Sequence, residues 1–105
     1  MGLLSYQLAY DAIEEWVADR RKDFSHAWQE VIPGDKWGYD SQAWEAAATR
    51  IVNNFNRRLP EGQDIAVPAS AKRNSRTRPL IDLQGYLAAK ADELNTDLIT
   101  RRMEA

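Results

Sequence analysis

The amino-acid sequence predicts an all-α protein, a single small domain of three principal helices, or four if the first one divides. Apolar residues recur at intervals of three and four in three separate segments, the spacing that places side chains on one face of a helix. Pro33-Gly34 and Pro60-Glu61-Gly62 interrupt these segments, because proline ends a helix and glycine adopts turn geometry freely. The composition, 44% hydrophobic and 29% charged, is typical of a globular domain.

The first predicted helix spans residues 5–31. Its apolar stripe recurs every three, four or seven residues and consists of Tyr6, Tyr10, Ile13, Val17, Phe24, Trp28 and Val31. Charge replaces the expected apolar residue at Arg20-Arg21-Lys22, so the alternative is two shorter helices that meet near Asp23. We expect one long helix, in which Arg20 extends its aliphatic stem past its neighbours.

The second predicted helix spans residues 41–59, and Asp40 or Ser41 is suited to cap its first turn. The third spans residues 80–103 and has the most regular pattern, close to a heptad seam. The seam consists of Leu80, Leu83, Leu87, Ala91, Leu94 and Leu98. The predicted shared core consists of Ile13, Val17, Phe24, Trp28, Trp44, Ile51, Val52, Phe55, Leu83, Leu87, Leu94 and Leu98.

Residues 60–79 show no helical or strand period, and the prediction for them is a long basic loop. The segment contains three of the four prolines and a run of basic residues from Lys72 to Arg78. A connection of about 20 residues without structure is unusual in a compact domain, which favours a functional or mobile segment.

Charge is divided into blocks along the chain. Residues 1–49 carry nine acidic and four basic side chains, whereas residues 50–78 carry seven basic and two acidic ones. Asymmetry of this kind is typical of proteins that recognise charged partners.

The candidate partner-binding residues form three groups. The basic group consists of Arg57, Arg58, Lys72, Arg73, Arg76 and Arg78, and the acidic group of Asp11, Glu14, Glu15 and Asp19. The third group is the aromatic pair Trp37 and Tyr39, in the predicted loop after Pro33. Loop aromatics are frequent interface hot spots, and they are equally suited to close the end of a helical core. The acidic first helix could also neutralise the basic segment within the chain.

Catalytic and metal-binding signals are weak. The chain has no cysteine and one histidine, His26, which lies near Asp23 and Glu30 on a helix without further metal ligands. The carboxylates at Asp11, Glu14 and Glu15, like those around Asp92, belong to polar helix faces that solvent covers by default. We therefore expect no enzyme activity, no catalytic residue, no metal and no cofactor.

The function that these patterns favour is a non-enzymatic interaction protein. We expect a small cytoplasmic adaptor or inhibitor that docks on a larger protein or nucleoprotein complex through its acidic and basic surfaces. The alternative is a nucleic-acid-binding protein that uses the arginines of residues 57–78, although the isoelectric point near 5.4 is low for that class. The chain has no apolar run long enough for a membrane span.

The regular seam of the third helix also predicts a homodimer. Its six apolar positions over nineteen residues are more regular than packing on a three-helix core requires. The first two helices can cover only part of this seam, so a second copy of the chain could cover the rest. The expected interface contains Leu83, Leu87, Leu94 and Leu98, with Tyr86 at its edge.

Overall fold

The computed structural model describes residues 3–20 and 28–104, with side chains for residues 4–20 and 28–94. This part of the chain forms five α-helices and no β-strand, which confirms the all-α fold class. The helices are α1 (Leu3–Asp19), α2 (Pro33–Lys36), α3 (Ser41–Arg58), α4 (Ala69–Asn74) and α5 (Leu80–Glu104). Two 3₁₀ turns, Trp28–Glu30 and Ser75–Thr77, precede α2 and follow α4.

The prediction of one long helix over residues 5–31 is wrong, because α1 ends at Asp19 and residues 28–30 form a separate 3₁₀ turn. The Trp28 indole N–H donates to Glu14 Oε1 at 2.5 Å, and its ring packs on Tyr10 with centroids 5.2 Å apart. In a continuous helix residues 14 and 28 would lie about 21 Å apart along the axis. Trp28 therefore lies beside α1 and not on a continuation of it.

The core lies where α1 packs against α3 and α5. Of the predicted core, the buried residues are Ile13, Val17, Trp28, Trp44, Ile51, Val52, Phe55, Leu83 and Leu87. Leu94 is only half-buried, whereas Phe24 and the side chain of Leu98 lie outside the described part. The prediction missed Trp16, which is buried among aromatic rings, and Leu80, which is buried at the start of α5.

The long loop predicted over residues 60–79 is also partly wrong, because its second half is helical. Residues 63–68 are irregular, and Asn56 holds Ile65 by accepting from its N–H at 2.9 Å and donating to its carbonyl at 3.1 Å. Pro68 then precedes α4 in extended geometry, which suits the residue before a helix. The basic run therefore lies on α4 and its 3₁₀ turn.

One buried hydrogen bond and two backbone features position the remaining short elements. The Trp44 indole N–H donates to Ser75 Oγ at 2.6 Å inside the protein, which joins α3 to the turn after α4. Pro33 begins α2 at a position where its missing N–H costs nothing. The Pro33-Gly34 segment, which was predicted to end a helix, therefore also starts a one-turn helix. The chain then passes through Gly38, whose φ of +68° favours glycine.

Candidate functional site

The last turn of α3 brings two of the predicted basic residues to an acidic residue of α1. Glu15 accepts from Arg57 at 2.6 Å through Oε2 and from Arg58 at 2.8 Å through Oε1. These two hydrogen bonds hold the pKa of the Glu15 carboxyl below its ordinary value, and the bond from Arg58 has the larger effect. Arg57 also donates to Asn54, so both arginines have partners within the chain.

The basic residues of α4 are engaged with α3. Arg73 pairs with Glu45 at 2.8 Å, and Lys72 Nζ donates to Thr49 Oγ1 at 3.0 Å. Glu45 and Thr49 are one helical turn apart, so α4 lies along that edge of α3. These contacts orient a helix of only six residues.

Arg76 fixes the segment around α2. Its Nε donates to the Tyr39 carbonyl at 2.7 Å, and its side chain packs directly on Gly34. A Cβ at position 34 would lie 2.8 Å from Arg76 Cγ, so this close approach needs glycine. Arg78 is much less engaged: 68% of its side chain is exposed, and Asp82 lies 3.9 Å away.

The four predicted acidic residues of α1 differ in their surroundings. Glu15 is bound by the two arginines, and Glu14 accepts from Trp28. The pKa of the Tyr10 hydroxyl is raised, mainly by a hydrogen bond to Glu14 and to a smaller extent by burial. Asp11 accepts from Gln7 at 3.0 Å, whereas Asp19 is exposed and makes no hydrogen bond or ion pair within the described residues.

The two loop aromatics pack against the core. Trp37 and Tyr39 are partly buried, and each ring centroid lies 6.0 Å from that of Trp16. Tyr39 also meets the Trp44 ring edge-on, with centroids 5.3 Å apart. This arrangement matches the interpretation in which loop aromatics close the end of the helical core.

A small apolar pocket, which we call the α5 pocket, lies between α4 and the start of α5. It has a volume of about 200 Å³. Its lining residues are Ala71, Asn74, Ser75, Arg78, Asp82, Leu83 and Tyr86. Arg78 is the one predicted site residue that the structure brings to it.

A wider and more polar depression, which we call the α1–α3 cleft, lies between α1 and α3. It has a volume of about 530 Å³. Its lining residues are Glu15, Trp16, Ala18, Asp19, Arg50 and Asn54. Glu15 and Asp19 were predicted as site residues, whereas Trp16, Arg50 and Asn54 were missed because their proximity depends on how α1 crosses α3.

Neither metal-binding groups nor membrane spans appear in the part that the structure describes. No three His, Cys, Asp or Glu side chains there come together as metal ligands would. None of the helices, over the residues described, has the length and apolar character needed to cross a membrane. His26 lies outside the described residues, so the prediction about it stays a prediction.

The comparisons with known proteins give no family. No protein-family model, curated protein or solved structure matches this chain.

Proposed function

We propose that the protein is a non-enzymatic interaction module, a small adaptor or inhibitor that docks on a larger protein or nucleoprotein complex in the cytoplasm. The observation that supports this most directly is the α5 pocket. Leu83, Tyr86 and Ala71 form apolar walls beside the charged rim of Arg78 and Asp82. An apolar pocket with a charged rim is the surface type into which an anchor side chain of a partner inserts.

The rim charges are available to a partner. At 3.9 Å the Arg78–Asp82 pair is loose, and both side chains are largely exposed, so its contribution to stability is small. Residues 69–78 next to the pocket contain four basic and no acidic residues. The complementary partner segment therefore carries a large apolar side chain with a carboxylate beside it.

A quantitative affinity capture from the source cells tests this proposal with three variants of the full chain. Arg78→Glu reverses a rim charge, and Ala71→Leu fills the pocket. Lys36→Glu makes the same charge change at an exposed residue of α2, away from the pocket. We expect one set of partner proteins to bind the wild type and Lys36→Glu and to be lost with the other two variants.

Circular dichroism must first show that all three variants keep their helix content. Equal recovery of the same proteins by all of them would contradict the proposal, as would capture of no protein by the wild type.

A nucleic-acid-binding protein remains the second candidate, and one observation favours it. Arg50 and Arg57 of α3 are both exposed, and Arg50 has no ion-pair partner among the described residues. Phosphates would, however, have to compete with Glu15 and Glu45 for the arginines that those residues hold. Fluorescence anisotropy with labelled DNA and RNA at low salt separates the two candidates, because tight binding with a steep salt dependence would indicate the second.

We also propose a homodimer, through Leu94 of the predicted α5 interface rather than through Leu83 and Leu87. Leu83 and Leu87 are buried within a single chain, so they cannot form the expected interface. Leu94 remains half-exposed, and Leu4 at the start of α1 is 72% exposed. Light scattering coupled to size exclusion would report about twice the chain mass of 12.0 kDa, and a monomer at high micromolar concentration would refute the dimer.

A further inference from the structure

The polar residues that line the α1–α3 cleft differ in whether their side chains have partners within the chain. Glu15 is held by two arginines of α3, and both polar atoms of the Asn54 side chain are used, by Ala12 and Arg57. Arg50 and Asp19 line the same cleft with opposite charges. Neither side chain makes an ion pair or a hydrogen bond with any described residue.

Trp16 is one of the residues that line the cleft, although only 2% of it is exposed. The ring itself is fixed, because Trp37 and Trp44 pack on it and the Arg20 guanidinium lies 5.8 Å from its centroid.

We propose that the α1–α3 cleft binds a small zwitterion, a molecule with one carboxylate and one ammonium group such as a free amino acid. Arg50 offers a planar pair of donors that matches a carboxylate. Asp19 accepts from the ammonium. Glu15 does not repel the carboxylate strongly, because Arg57 and Arg58 neutralise it.

This site goes beyond the proposed docking function, because it shares no lining residue with the α5 pocket. A variant of the cleft therefore leaves partner docking intact, and the two proposals fail independently.

The test is a ¹⁵N NMR titration of the full chain at constant ionic strength with four probes. L-Alanine and L-glutamate carry both groups, succinate lacks the ammonium, and 1,4-diaminobutane lacks the carboxylate. We expect saturable shifts at the Arg50 and Asp19 amides with both amino acids, with a dissociation constant on the order of 1 mM, the range that two charge-assisted contacts support. Succinate and diaminobutane should bind at least about tenfold more weakly.

Variants assign the roles of the side chains. Arg50→Met and Asp19→Asn should each weaken amino-acid binding about tenfold or more, whereas Lys36→Met should leave it unchanged.

Succinate binding as tight as that of the amino acids, or an unchanged affinity in Asp19→Asn, would overturn the zwitterion site. Absence of saturable shifts with either amino acid at about 50 mM, far above millimolar affinity, would overturn it as well.

Discussion

The buried hydrogen bond between Trp44 and Ser75 gives the sharpest test of how the basic segment is folded. Its length is 2.6 Å, and Trp44 is fully buried. Ser75 Oγ in turn donates to the Lys72 carbonyl at 2.6 Å. Ser75→Ala would leave the indole N–H buried without an acceptor, which costs about 1–3 kcal/mol. For a domain near 100 residues, a loss of about 2 kcal/mol lowers Tm by roughly 8–16 °C.

Urea denaturation followed by circular dichroism at 222 nm measures this loss. Ser70→Ala is the matched control, because Ser70 is an exposed serine of α4, the helix just before the turn that contains Ser75, and surface changes stay within about 0.5 kcal/mol. In a Trp44→Phe background the donor is gone, so Ser75→Ala should cost much less there. An equal cost in both backgrounds, or a cost no larger than that of Ser70→Ala, would refute the hydrogen bond between α3 and the turn after α4.

Two further predictions concern the core and the ion pairs. Ile51→Ala and Leu87→Ala each remove a fully buried side chain, and each should lower the free energy of unfolding by about 2–5 kcal/mol. The control is Leu4→Ala at an exposed position, which should change the free energy of unfolding by less than about 0.5 kcal/mol in the same urea assay. The lowered pKa of Glu15 means that its contribution to stability is complete above the ordinary carboxyl pKa of 4.5 and is lost as the pH falls through the lower folded value. Wild type and Glu15→Gln should therefore differ in Tm at pH 7 and converge towards pH 3, and an unchanged difference across this range would contradict that assignment.

The sequence predicted α3 and α5 within one residue at each end, and the reason is local. Residues 41–59 and 80–103 were predicted, and the helices span residues 41–58 and 80–104. Asp40 caps α3 as expected, since its side chain accepts from the Ala43 N–H at 2.8 Å. Periodicity, caps and flanking prolines all act within a few residues, so one sequence is enough to read them.

The first helix shows where periodicity fails. Phe24, Trp28 and Val31 continue the apolar spacing of α1, but spacing alone does not distinguish one continuous helix from two segments packed side by side. The deciding contact, from Trp28 to Glu14, joins a tryptophan that looked like part of the stripe to a carboxylate assigned to solvent. Only the folded chain brings the two together.

The prediction of a loop for the basic segment failed for a related reason. A helix of six residues is not stable by propensity alone, so no local pattern in residues 69–74 predicts it. Its stability comes from contacts with residues of α3 that lie 23 to 31 positions away along the chain. The site residues missed in the α1–α3 cleft depend in the same way on a helix crossing.

The division of charge along the sequence has a structural role. The acidic block meets the basic block inside one chain: α1 binds the end of α3 through Glu15, and Glu45 of α3 binds Arg73 of α4. Such partly exposed pairs add little to stability, but they select how the helices are placed. Much of the charge asymmetry is therefore used within the chain. The two proposals assign recognition of other molecules to charges outside these pairs: Arg78 at the α5 pocket, and Arg50 with Asp19 at the cleft.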